Sequence, residues 1–451
     1  MHNNEPGDKA TTRRVGAAAD VELIREVFSY LRQFRGKTFV FKVENSVIDD
    51  PLFPSLVKDL SVLHGAGIRV VIVPGAKERI DQVLASAGVA SRIVKNTRIA
   101  AEEAIPLIKM AAFDVSNRVM TMLAASGVTA VVGNWVKARG MGVIDGLDFQ
   151  TAGIVESVRV DTVRRVLEDA VIPVFPCIGW SAVGKPYNIS SSELAVVLAK
   201  ILGAEKLFLI TSRKGYNVDS YAVPDTVPIA PGGRIANFSL SELEAFFAKN
   251  PGKEDELEPL LHAQRACSAG VERSHILDGR RDGVILLETF SNLGFGTMVY
   301  SNKYGGIRPM EPSDIADVLR IMQPFVERGV LLPRTEDLLQ EMLQDYIVFE
   351  LDGSVHACAA LHDFPPETAE IAGIAVDEQF AHLGVGPKLV GYLCEKAQKK
   401  GLSHVFALTT QTADWFEKMG FEEKDVSALP ERKRLSYNHA RKSRVFVKSL
   451  S

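Results

Sequence analysis

The sequence predicts an α/β protein, a mostly parallel sheet with helices on both faces, followed by a smaller α+β domain. Three observations carry the prediction. Up to about Val299, short β-branched and aromatic runs alternate with helical patterns, and the runs are continuously apolar, as in strands buried on both faces. At Tyr300–Arg308 paired glycines and polar residues interrupt the periodicity, which places a linker there. Beyond it, three strand-like runs follow one another with no helix between them, the mark of an antiparallel meander.

Residues 1–20 are expected to be a disordered N-terminus. From Val21 to Arg35, Val21, Ile24, Val27, Phe28 and Leu31 recur at helical spacing, giving an amphipathic helix ahead of the first strand. Strands are expected at Thr38–Val43, Ile68–Val73, Thr129–Val132, Ile172–Phe175 and Leu207–Ile210. Helices are expected among them at Leu56–His64, Glu78–Ala87, Asp161–Asp169 and Ser191–Leu202. This first domain spans 21–300 and the second 307–451. The second opens with helices at Ser313–Arg328 and Thr335–Leu343, then strands at Tyr346–Leu351, Ser354–Leu361 and Ala369–Val376. A glycine turn, a helix to Lys400, a strand at His404–Thr409, a helix at Ala413–Met419 and a basic tail complete it.

The 451 residues are 46% hydrophobic and 24% charged, an ordinary globular balance that excludes a fibre or a disulfide mini-domain. Lys plus Arg total 52 against 56 Asp plus Glu, so a net charge of −4 offers no overall field for a nucleic-acid backbone. Cys177, Cys267, Cys358 and Cys394 are widely spaced, which fits buried reduced thiols and a reducing compartment, with no metal cluster. No apolar run approaches the roughly 20 residues needed to cross a bilayer, and the first residues lack the apolar core of a secretory signal. The expected location is the cytoplasm.

The strongest local chemistry runs from Ala369 to Gly401, where a strand leads through Gly384-Val385-Gly386-Pro387 into a helix. Glycines let the backbone approach a ligand, Pro387 suits the first helical position, and the free N–H groups with the helix dipole attract phosphate. A strand–turn–helix joint of this kind also exists without a ligand. Glu370, between Ala369 and Ile371, reads either as a desolvated base or as a solvated strand-end carboxylate. The tail from Glu431 to Ser451 carries seven Lys and Arg against one acidic residue, a solvated face or an attractor of phosphate.

These residues resemble the acetyl-CoA site of the GCN5-related N-acetyltransferase superfamily, whose signature is Arg/Gln-x-x-Gly-x-Gly/Ala; Ala381 stands at the first position here. Pyrophosphate binding would then rest on backbone amides from Leu383, Gly384, Val385 and Gly386. VLLPRTEDL, AEIAGIAV, FALTTQTADWFEKMGF and LPERKRLSYNHARKSRVFV look like successive segments of the bacterial N-acetylglutamate synthase family. That resemblance implies acetyl transfer from acetyl-CoA to L-glutamate at the start of arginine synthesis, in a homo-oligomer, a hexamer in the bacterial family. It also implies residue roles. Glu370 is the base that frees the amine. Amides of Ile374, Ala375 and Val376 hold the oxyanion, and Thr409 or water protonates the thiolate. Arg334 and Arg441 grip the carboxylates, with Ser443 and the backbone near Leu332. No Cys or Ser beside a base suggests a covalent acyl-enzyme.

Residues Lys37 to Val299 look like the amino-acid-kinase fold, carried by SRIVKNTRIA, YNISSSELAVVLAKILGAEKLFLIT and VILLETFSNLGFGTMV. Fold alone does not decide activity. The family's Lys-x-Gly-Gly loop is Lys42-Val43-Glu44-Asn45, its His-Gly-Gly-Gly loop is Pro74-Gly75-Ala76-Lys77, and its organising Asp is absent from Asn188-Ile189-Ser190-Ser191-Ser192. The later kinase lysine has no counterpart in Leu257–Leu261. Phosphoryl transfer needs those parts. What remains resembles an arginine-feedback site: Tyr30, Lys206, Glu288 and Gly294, with His275 as a neighbour. The expected protein is therefore a synthase whose kinase-like domain senses L-arginine. The two alternatives are a bifunctional synthase and kinase, and a non-enzymatic sensor with a decayed acetyltransferase domain.

Overall fold

The computed structural model describes residues 27–28, 30–290, 295–301, 306–351 and 354–450. The stretch 1–20, most of the helix expected from Val21, and Gly294 lie outside the described residues; 30–34 are helical. The chain divides into two compact units, Met1–Lys303 and Tyr304–Ser451.

The first unit holds an eight-stranded sheet in the order Asn237–Ser239, Thr297–Tyr300, Arg273–Asp278, Lys206–Thr211, Thr38–Val43, Arg69–Pro74, Ile172–Val174, Ala130–Val132. Neighbours run parallel except Arg273–Asp278 with Thr297–Tyr300. Thr38–Val43 shows why. It is buried along its whole length, with Phe39, Phe41 and Val43 in one apolar cluster beside Leu56 and Leu60, and Val40 in the other beside Leu194 and Leu198. Helix Ser191–Leu202 is bounded as its sequence requires: the Ser190 side chain accepts from the Glu193 amide, and Gly203 takes the left-handed conformation at φ +60°.

Among the parts of this unit that were not anticipated, two bear on how the sequence is read. Val136–Gly140, Ala152–Val158, Ile178–Trp180 and Pro186–Ile189 close into a four-stranded barrel. Helix Glu254–Ser268 carries Pro259 in its interior, where proline reads as a breaker.

The second unit is a seven-stranded sheet ordered Ile307–Pro309, Tyr346–Leu351, Ser354–Phe364, Thr368–Val376, His404–Thr409, Arg444–Ser449, Glu422–Lys424. Only Thr368–Val376 with His404–Thr409 is parallel. Ile307–Pro309 belongs to the sheet edge, so the linker expected through Arg308 ends sooner. Leu389 and Leu393 of helix Val385–Lys399 pack on Ala359 and Leu361 from one face. Val318 and Met322 of helix Ile315–Glu327 pack on Tyr346 and Ala360 from the other.

Candidate active site

Thr368–Val376 and His404–Thr409 pair at only three positions, Thr368 with His404, Ala369 with Val405 and Glu370 with Phe406. Both strands continue beyond that point, so they splay. Gly373 sits at the splay with φ +61°, a conformation that penalises any Cβ. A Cβ there would also meet the Tyr346 hydroxyl at 3.1 Å. The facing strand shifts register between Cys358 and Ala360, as at a β-bulge. Ile374, Ala375 and Val376 follow; Ala375 and Val376 pair with Cys358 and Ala357 on one side, and the pairing with His404–Thr409 does not reach them on the other.

The same strand leads through a 3-10 turn, Glu378–Leu383, to the glycine turn. Gly384 is the N-cap of Val385–Lys399 at φ +64°, so the helix starts at Val385 and Pro387 is its third residue rather than its first. Proline is still tolerated there, since a first-turn N–H has no intrahelical partner. For the same reason the Val385 and Gly386 amides lack helical acceptors, and they stand at the positive end of the dipole. A Cβ on Gly386 would lie 3.1 Å from the Trp415 ring.

Glu370 stands at the neck of the splay and is buried. It is not a lone desolvated carboxylate: Lys433 Nζ donates to its Oε2 at 2.6 Å. Sequence reading placed Lys433 in a general basic tail, because 63 positions separate the partners. His362 was also missed, since the expected strand ended at Leu361 whereas the observed one runs to Phe364. His362 lies directly opposite Glu370, and its Nδ1 is 2.7 Å from Asp345 Oδ2.

Thr409 is buried at its strand end, where its Oγ1 accepts from the Thr412 amide at 3.0 Å and lies 2.7 Å from Thr412 Oγ1. The Arg441 guanidinium, expected to face substrate, donates through Nη2 to the carbonyls of Gly329 and Val330. It thereby fastens the tail to the loop that carries Leu332 and Arg334. Leu332 is exposed, and Arg334 lies against Tyr346, whose phenol burial pushes up. The Ser443 carbonyl accepts from the Tyr437 hydroxyl. Arg444 pairs with Glu423 and Lys448 donates to the Met419 carbonyl, so part of the basic tail serves local structure.

In the first unit the loop after Lys42 is filled by its own side chains. Lys42 Nζ lies 3.5 Å from Glu44, and Glu44 Oε2 accepts from the Ser212 amide at 2.9 Å. Asn45 is buried, taking the Arg79 amide on Oδ1 and donating to Asp49. Of the residues expected at the effector site, Tyr30 and Lys206 meet. Lys206 is buried rather than solvated, and its Nζ donates to the Tyr30 hydroxyl at 2.9 Å. Tyr30 packs edge-on against Phe290, from the helix Val284–Phe290 that carries Glu288. Glu288 accepts from His275 at 2.8 Å and from the amides of Phe295 and Gly296. Burial alone pushes the Glu288 carboxyl up, but these hydrogen bonds outweigh it and hold it below the usual range. Burial pushes the His275 imidazole down, leaving a neutral ring beside an anion.

Comparison with known proteins agrees with this division. The amino acid kinase family model matches residues 37–230 and the acetyltransferase (GNAT) family model matches 316–421. The amino-acid acetyltransferase of Shigella flexneri is 32% identical over 441 residues, covering 95% of this chain and 98% of that protein. The chain belongs to the amino-acid acetyltransferase family. Another amino-acid acetyltransferase, from Mannheimia succiniciproducens, is 30% identical over 96% of the chain. Among solved structures, N-acetylglutamate synthase from Neisseria gonorrhoeae complexed with coenzyme A and L-arginine superposes with a TM-score of 0.76 at 30% identity, covering 95% of this chain and 99% of that one. The same enzyme with coenzyme A and N-acetyl-glutamate gives 0.60 at 31%, covering 96% and 99%. No helix among the described residues is long and apolar enough to cross a membrane.

Proposed function

We propose that this amino-acid acetyltransferase is an N-acetylglutamate synthase, moving acetyl from acetyl-CoA to the α-amino group of L-glutamate as the first step of arginine synthesis. The observation that carries the reading is the splay between Thr368–Val376 and His404–Thr409, with Glu370 at its neck and the Gly384 turn beyond its far end. A thioester carbonyl laid in the splay meets the amides of Ile374–Val376, donors aimed where the oxyanion develops. The CoA pyrophosphate lies on amides from Leu383 to Gly386. Glu370 takes a proton from the substrate ammonium, and Thr409 or water returns one to the thiolate. Arg334 and Arg441, with Ser443 and the Leu332 backbone, hold the carboxylates.

The first unit serves as an L-arginine sensor, with Lys206 and Tyr30 for the ligand carboxylate and Glu288 with Gly294 for its guanidinium. The N-acetylglutamate synthase of Neisseria gonorrhoeae, solved with coenzyme A and either L-arginine or N-acetyl-glutamate, supports the choice of these ligands. The protein is a cytoplasmic homo-oligomer, a hexamer by the family's example. The test is CoA thiol release with L-glutamate against other amino acids, with and without L-arginine. Glutamate-dependent release altered by arginine is expected; release indifferent to the amino acid offered would sink the reading.

A further inference from the structure

Acetylation of an ammonium removes two protons from nitrogen, one before attack and one as the tetrahedral adduct collapses. The departing thiolate takes one back, and the other must reach solvent. Glu370 is one acceptor, but it is buried and paired with Lys433 at 2.6 Å. It must shed its first proton before it can take the second. The structure sets a second acceptor beside it. His362 is the direct antiparallel partner of Glu370, so both side chains project to one face with Cβ atoms about 5 Å apart. The His362 ring is polarised: Nδ1 is 2.7 Å from Asp345 Oδ2, while Nε2 is buried and has no hydrogen-bond partner. Asp345 fixes the tautomer that leaves Nε2 able to accept. The two ends of the dyad also differ in exposure, 14% for the His362 side chain and 39% for Asp345, so the chain of groups leads outward.

We propose that His362 and Asp345 form a proton relay of the acetyl-transfer site, resting on the reading above: one intervening water carries to Nε2 the proton that Glu370 has drawn from the amine, and Nδ1 yields its own to Asp345 and solvent. Two N–H bonds break, the C–N bond forms, the C–S bond breaks, the thiolate gains one proton, and one leaves through the relay. The charged or titratable groups around the ring are Asp345, Tyr346, Glu370 and Lys433, with Arg334 reaching Tyr346 and the charge of Lys396 felt at Asp345. The Tyr346 ring lies edge-on to the His362 ring with centroids 6.2 Å apart.

The test uses the full chain with L-glutamate and acetyl-CoA. His362→Gln should lower kcat by about 10²-fold with little change in KM or CoA affinity, and should change the acid limb of kcat against pH. In His362→Ala, added imidazole should restore turnover, which a packing role would not allow. Asp345→Asn, which keeps the ring, should lower kcat less. Wild-type kcat and pH profile in His362→Gln, or a loss in His362→Ala that imidazole leaves untouched, overturns the relay while leaving the acetyl-transfer reading standing. A wild-type protein with no glutamate-dependent thiol release overturns that reading and the relay together.

Discussion

The turn before Val385 and the turn after Val43 are both strand-to-helix joints, and both lie where a family resemblance places phosphate. At the first, Gly384 adopts φ +64° and leaves helix-start amides without helical acceptors. At the second, Glu44 caps a short helix and spends its carboxylate on the Ser212 amide and the Lys42 ammonium. A fixed negative charge already occupies the place a phosphate would need, and phosphate repels it. The backbones differ as well, since Gly384 is left-handed ahead of a 15-residue helix whereas Glu44 is extended at φ −65° ahead of a 4-residue one. Side-chain charge and backbone shape together separate the proposed anion site from the self-satisfied joint.

Changes that break the contrast are expected to act in a definite order. The largest effect falls on Glu370: Glu370→Gln should cut kcat by about 10²–10⁴-fold with CoA affinity preserved, measured by steady-state kinetics and calorimetry. Lys206→Met in the kinase-like unit should weaken L-arginine binding by roughly 10–100-fold, the loss of a charge-assisted hydrogen bond of about 1.5–3 kcal/mol. Calorimetric titration checks it, and unaltered affinity would remove Lys206 from the effector site. Gly384→Val forces a β-branched residue into the left-handed region at roughly 1–2 kcal/mol, so CoA affinity should fall about tenfold.

The smallest effect concerns Asp59, buried against the amides of Ile285 and Leu286 at the start of the helix that carries Glu288. Burial pushes its carboxyl up to about 6, with Asp282 adding to the rise. The folded state then binds this proton more tightly than the unfolded chain, so stability falls as pH rises from the ordinary carboxylate range towards 6. Asp59→Asn should raise stability at neutral pH by roughly 1–2 kcal/mol and gain progressively less as pH drops. A gain independent of pH would show that the carboxyl does not titrate there.

Much of the fold was legible because strands such as Thr38–Val43 are buried on both faces and read as unbroken apolar runs. The barrel was not, because a strand such as Val136–Gly140 alternates buried and exposed residues over only five positions, Lys137 and Arg139 among the exposed. In the site, the glycine motif pointed to Gly384 and the family resemblance to Glu370, which lie on one strand–turn–helix segment. Lys433, His362 and Asp345 were invisible, since their roles arise from tertiary pairing and cross-strand register that no local pattern encodes. Arg441 remains the proposed substrate clamp, and the structure adds that its Nη2 donates to the carbonyls of Gly329 and Val330, which its place in the basic tail did not foretell.

The most direct test of the contrast incubates one protein sample with acetyl-CoA, L-glutamate and Mg-ATP, and follows N-acetylglutamate and ADP together by mass spectrometry. N-acetylglutamate should accumulate while ATP stays intact, an acetyltransferase joined to a silent kinase fold. ADP formed in step with consumption of N-acetylglutamate would contradict it, showing that the Glu44 joint still admits a nucleotide.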